Sequence, residues 1–170
     1  KQSLHVLSLS GNKISSIGCK KICEFIAMCT TLEEIQLSNN EIDNEGAKQL
    51  IQVLKNKTRF SNIDIDNNKI SGQTLTDLFQ LLPLRNLNLI KNVLTDEQIG
   101  PVSKTLKENT NIQQIFMSHN RMSVAAMQTL GEGLKENKVL TDFFFTHNDL
   151  QAGGEGGLAV LQSLANKKDL

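Results

Sequence analysis

The figure L-x-x-L-x-L-x-x-N-x-L, with other apolar residues standing in for Leu, runs through this chain six times. Its first copy uses Leu4, Leu7, Leu9, Asn12 and Ile14, and its second Leu32, Ile35, Leu37, Asn40 and Ile42. The third uses Phe60, Ile63, Ile65, Asn68 and Ile70, and the fourth Leu84, Leu87, Leu89, Asn92 and Leu94. The fifth uses Ile112, Ile115, Met117, Asn120 and Met122, and the last Leu140, Phe143, Phe145, Asn148 and Leu150. Every position is apolar or Asn as the figure demands, in a chain that is only 39% hydrophobic. Chance does not produce this. Around the second and third anchors the pattern alternates, as in Ile35-Gln36-Leu37-Ser38, which predicts a half-buried strand. The Asn marks an inward turn, where an amide satisfies backbone groups that would otherwise be buried unpaired at a cost of about 1–3 kcal/mol each. An amphipathic helix follows. In copy two, Ala47, Leu50, Val53 and Leu54 share one face, with Glu45, Lys48, Gln52 and Lys55 outward.

Copies begin at Leu4, Leu32, Phe60, Leu84, Ile112 and Leu140, a spacing of 28 residues broken once by 24. This period and figure resemble the leucine-rich repeats. The intervening motif G-A-x-x-L-x-x-x-L-K-x-N is similar to that of the ribonuclease-inhibitor-like class. Copy two carries it as Gly46-Ala47, Leu50 and Leu54-Lys55-Asn56, and copy five as Leu130, Leu134-Lys135 and Asn137. The resemblance implies an α/β horseshoe solenoid, with parallel strands on the concave face and helices on the convex face. It implies a single domain over residues 1–170, read as one segment of a longer array. No unit buries its apolar face alone, so the core is made by stacking. Leu4 opens a strand almost at once and Leu170 looks like the first anchor of a further copy, so neither end shows the polar cap a solenoid needs. Copy three is the short one, and Pro83 is expected to stop its helix just before the next strand and change the local curvature. Gly153-Gly154-Glu155-Gly156-Gly157 reads as a loop before a helix resumes near Leu158. No P-loop Lys-Ser/Thr follows it, so it is not a phosphate cradle.

Composition narrows the function. The chain has 18 Lys+Arg against 18 Asp+Glu. With no net charge and no polybasic run, neither nucleic acid nor a membrane surface is an expected partner. No apolar stretch is long enough to span a bilayer, and the first residues lack a signal-peptide core. Cys19, Cys23 and Cys29 are odd in number and carry no secretory context, which predicts free thiols in a reducing, cytoplasmic setting. Cys19 occupies the slot of Ala47 and Met127 and should face the core. No further Cys or His follows at zinc-site spacing, so no metal is expected.

Candidate chemistry is sparse. His119 and His147 hold the same slot in successive copies, one residue before the ladder Asn, with Asp149 the nearest acid by sequence. Two solvated loop histidines are the reading preferred over a proton-handling pair. No G-x-S-x-G, H-E-x-x-H or P-loop occurs, so neither catalysis nor a cofactor nor a small-molecule substrate is expected.

Information lies instead on the strand residues between the anchors, which point to the concave face because side chains alternate. Successive copies read Val6, Glu34, Asn62, Asn86, Gln114, Asp142 in one column and Ser8, Gln36, Asp64, Asn88, Phe116, Phe144 in the next. A third column reads Ser10, Ser38, Asp66, Ile90, Ser118, Thr146. Phe116, Phe144 and Ile90 predict an apolar patch in the later copies, and Glu34, Asp64 and Asp66 an acidic cluster in the earlier ones. A non-catalytic scaffold holding a protein partner on this face is the leading expectation. The sequence Leu134-Lys135-Glu136-Asn137-Lys138-Val139-Leu140 is also similar to repeat junctions of tropomodulin-like actin regulators. Arg121, just after Asn120, is the position through which a GTPase-activating role similar to that of the Ran GTPase activators would act. The acidic tail of that family is missing from these residues.

Overall fold

Each of the first five copies folds as a strand, a turn and a helix, the sixth adds its strand, and the copies stack in chain order. The computed structural model describes residues 3–81, 83–148, 158 and 162. Six strands occur among them: β1 Val6–Ser8, β2 Glu34–Gln36, β3 Asn62–Asp64, β4 Asn86–Asn88, β5 Gln114–Phe116 and β6 Asp142–Phe144. They form one parallel sheet in the order β1-β2-β3-β4-β5-β6. Register is strict, so Ile35 pairs with Ile63, Ile63 with Leu87, and Leu87 with Ile115. Between strands run α1 Ser16–Met28, α2 Asn44–Leu54, α3 Gly72–Leu78, α4 Asp96–Glu108 and α5 Val124–Glu136. The Leu150 anchor, Asp149, the glycine-rich stretch 153–157 and Leu170 lie outside the described residues; Leu158 is helical and exposed.

Helix starts are written locally. Asp43 caps α2 by accepting from the backbone N–H groups of Glu45 and Gly46 at 3.0 and 3.2 Å. The Ser16 hydroxyl, then Gly46 N–H, hold its carboxyl below the usual carboxylate range. Thr95 and Gln98 make a capping box on α4, and Ser123 Oγ accepts from Ala126 N–H on α5. Copy three departs from expectation in one respect. Its helix is short, but it ends at Leu78, well before Pro83. The turn of Phe79–Leu81 that follows, held by bonds such as Phe79 N–H to Thr76 O at 3.1 Å, ends the helix instead.

The core runs unbroken between sheet and helices. Leu37, Ile65, Leu89 and Met117 are completely buried, as are Leu50, Leu75, Ile99 and Leu130 at or near zero exposure from the helix side. Cys19 is fully buried too, its thiol donating to Gly46 O at 3.3 Å. A hydrogen bond with Cys23 and burial push that thiol well above the ordinary range. Packing is tightest between α4 and α5. A Cβ placed on Gly133 would lie 2.3 Å from the carbonyl oxygen of Ser103, so only glycine permits this approach.

Candidate functional site

The turn that follows each strand is held by the Asn of the figure. Asn40 Oδ1 accepts from the backbone N–H of Asn12 and Ile14 in the preceding copy, at 3.0 and 2.9 Å. Its Nδ2 donates to Leu9, Leu37 and Ser38 carbonyls. Asn68 donates to Leu37, Ile65 and Asp66 carbonyls, and Asn120 to those of Leu89, Met117 and Ser118. Asn92 spans Ile65 and Ile90 carbonyls, Asn148 those of Met117 and Phe145, and Asn12 those of Leu9 and Ser10. Each interior amide therefore ties its own turn to the copy before it. Asn109 and Asn137 do the same at the helix ends, where Asn137 Nδ2 reaches Leu106 O at 2.7 Å and its Oδ1 accepts from Leu140 N–H. Sequence reasoning recorded Asn137 only as a motif letter and passed over Asn109. The visible signal was an Asn three residues before an anchor.

Side chains beside the anchors all emerge on the open face of the sheet, in columns fixed by the register. Phe116 and Phe144 stack with ring centroids 4.6 Å apart and planes 2° from parallel. Phe144 remains 44% exposed, Phe116 is half-buried by its neighbour, and Ile90 is half-buried one strand further. The two Phe rings of the expected patch thus meet, and Ile90 lies just past the neighbouring strand, two residues beyond the register partner of Phe116. Phe143 and Phe145 point the other way and pack on the core, 5.0 Å apart.

The acidic residues are less solvated than a bare polar face would be. Asn62 Nδ2 donates to Glu34 Oε2 at 3.3 Å, and Asn86 Nδ2 to Asn62 Oδ1 at 2.7 Å. Asp64 Oδ1 accepts from Asp66 N–H at 3.0 Å. Desolvation by burial, with Glu34 adding repulsion, pushes the Asp64 carboxyl up. Desolvation and then Asp64 push Asp66 up, against a partial pull from Lys91 and His119. Asp66 Oδ1 is buried without a hydrogen-bond partner. No described ion pair involves any of these carboxylates.

The turn residues form a further column, of which the sequence reading singled out only His119 and His147. Gly11, Asn39, Asn67, Lys91, His119 and His147, each one before the ladder Asn, all have positive φ, between 49 and 76°. Gly suits that conformation, and Asn and His are enriched in it among the other residues; Lys tolerates it less easily. The two histidines stack there with centroids 4.1 Å apart. Partial desolvation, then His147 and Lys91, lower the His119 pKa. Asp66, from copy three, opposes that lowering; Asp149 lies outside the described residues. Among the described residues no cluster of three or more metal-ligating side chains occurs. Arg121 is exposed at the turn after β5, and its backbone bridges to Thr95. No described helix is long and apolar enough to cross a membrane.

A family model described as Leucine Rich repeat matches residues 1–23 and 29–50. With the stacked strand–helix units, the amide ladder and this match together, the assignment follows. The chain is a leucine-rich-repeat solenoid. Solved structures agree with it in fold. An internalin of Listeria monocytogenes superposes with a TM-score of 0.57 at 21% identity, over 97% of this chain and 46% of its own. The tropomodulin C-terminal domain of Caenorhabditis elegans gives 0.53 at 15% identity, over 96% and 84%. Leiomodin-1 actin-binding site 2 gives 0.50 at 14% identity, over 96% and 80%. At these identities the likeness is one of fold alone. No curated protein sequence matches this solenoid.

Proposed function

We propose that this solenoid is a non-catalytic scaffold that holds a protein partner on the concave, strand-lined face, centred on Phe116 and Phe144. One observation carries the reading. Two aromatic rings stand in register on the open side of the sheet, with Ile90 beside them, while the rest of the phenylalanines are turned inward or buried. Exposed aromatics grouped on a rigid surface are the residues that anchor interfaces. Apart from Val6, the remaining face is built of amides, hydroxyls and carboxylates, which suits the polar rim of such a contact. The odd cysteine count supports a reducing, cytoplasmic setting.

A second reading, an actin regulator, is favoured by the shared fold with the tropomodulin domain and with leiomodin-1 actin-binding site 2. The internalin superposes as well, so the fold does not choose between them. Co-sedimentation with filamentous actin tests that reading directly. For the docking face, benzoylphenylalanine in place of Asn88 on the sheet side, or of Gln52 on the helix side, should be photolysed in an extract of the native cell. Adducts from the Asn88 position and none from Gln52 are expected. The reverse pattern would move the partner to the helices and end the proposal.

A further inference from the structure

The concave face is electrically one-sided. Its three columns hold Glu34, Asp64, Asp66 and Asp142 and no Lys, Arg or His, in a chain whose charges balance overall at 18 against 18. None of these four carboxylates has an ion-pair partner among the described residues. Every described ion pair instead lies off the columns, at His5–Glu33, Lys21–Glu24, Lys69–Glu41 and Lys107–Glu136.

Between the acidic and the aromatic strands the face is hollowed. A niche of about 220 Å³ has Glu34, Asn62 and Asp64 on one side, Asn88 on its floor and Phe116 at its far end. The Phe stack orients that end. Phe144 covers one face of the Phe116 ring from β6, and the planes are within 2° of parallel, so the other face of Phe116 looks back across β4 into the niche. An aromatic face is the negative pole of the ring quadrupole and attracts a cation within about 6 Å of its centroid. The niche therefore offers carboxylates at one wall and a π-face at the other. Both prefer the same guest.

We infer that the partner presents a Lys or Arg side chain to this niche, followed along the same segment by a large apolar side chain that covers Phe116, Phe144 and Ile90. This rests on the concave face being the docking face, as proposed above. The distances set the spacing. From Asp64 on β3 to the middle of the β5–β6 stack is two to three strand steps of roughly 4.8 Å, or about 12 Å. An extended segment crossing the strands covers that in about four residues at roughly 3.4 Å each. The cation and the apolar anchor thus lie on the same side of the segment, since alternate side chains share a face. Burial chiefly pushes the Asp64 carboxyl up, and a cation there also relieves the repulsion from Glu34 that adds to it.

The test uses the full chain and fluorescent Gly–Ser peptides that carry Arg and Leu with three residues between them, Leu alone, Arg alone, or Glu in place of that Arg. Anisotropy titrations should show the Arg–Leu peptide binding about tenfold more tightly than Leu alone, with the gain shrinking as salt rises. Glu34→Gln combined with Asp64→Asn should erase that gain and leave the Leu peptide unchanged. Equal affinity for Arg–Leu and Leu peptides, a preference for Glu–Leu, or no binding by any peptide would overturn the basic–apolar assignment. If Phe144→Ala still weakens the Leu peptide, the docking face survives that loss. Binding indifferent to both Phe116→Ala and Phe144→Ala would overturn the docking face itself.

Discussion

The strands β2–β3 and β5–β6 share one backbone. The anchors of β2, β3 and β5 are buried alike, with Ile35, Leu37, Ile63 and Ile65 matching Ile115 and Met117, while Phe143 and Phe145 of β6 are partly buried against the same core, and the turns are tied by the same amide ladder. They differ in the residues between the anchors. The first pair shows Glu34, Gln36 and Asp64, held in amide hydrogen bonds and partly desolvated; the second shows Phe116 and Phe144, stacked and partly bare. In such a solenoid the inward columns decide that the chain folds, and the outward columns decide what it meets. The two sets are separable because strand side chains alternate.

If that separation holds, damage to the inward columns should be alike in both regions. Leu37→Ala in the acidic region and Met117→Ala in the aromatic one are each expected to cost about 2–5 kcal/mol in urea unfolding, since both side chains are fully buried. A large loss in one region and none in the other would mean that the core is not continuous. The ladder is expected to matter less per residue. Asn68→Ala and Asn120→Ala should each cost about 1–3 kcal/mol, because each leaves three carbonyls without their donor.

The aromatic region rests on the tightest helix packing. Gly133→Ala should destabilise by about 1–3 kcal/mol, since its Cβ would meet the Ser103 backbone, whereas Gly100→Ala, with open space around it, should be neutral or slightly stabilising. A calorimetric scan of both variants checks the pair, and a neutral Gly133→Ala would show that α4 and α5 are free to part.

The smallest effect concerns the acidic region alone. Its raised carboxyl means that the native state holds a proton more readily than the unfolded chain does. The stability tied to Asp64 is thus present at pH below the ordinary carboxylate value and is lost as pH rises through the raised one. Asp64→Asn should therefore raise the melting temperature slightly at pH 7, with the gain vanishing near pH 3. A lower melting temperature at pH 7 would mean that the carboxylate is needed for the turn, through its bond to Asp66 N–H.

Much of this was legible in the sequence. The anchors, the ladder Asn and the column order follow from a repeated figure, and periodicity survives translation into structure because each unit packs only on its neighbours. The end of α3 was not legible, because the 3₁₀-type turn of Phe79–Leu81 is chosen by packing and not by Pro83. The His119–Asp66 relation was hidden for a related reason. It is an electrostatic influence between copies three and five along the turn edge, which no local spacing reports. The left-handed column was visible in Gly11, Asn39, Asn67 and the two histidines, residue types that favour that backbone, but was interrupted by Lys91, which seldom adopts it. On the open face the sequence named the residues but not the niche, which arises from how the Phe116 ring is turned.

The central claim is that outward and inward aromatics of one strand do different work, and β6 carries both kinds side by side. Phe144→Ala and Phe145→Ala should be compared for partner affinity by calorimetric titration and for melting temperature. Phe144→Ala should weaken the partner by about 2 kcal/mol or more with the melting temperature nearly unchanged. Phe145→Ala, whose ring packs on the core, should lower the melting temperature while affinity measured well below it stays near that of the parent chain. Unchanged affinity in Phe144→Ala, or an equal loss of affinity in both variants, would contradict the account.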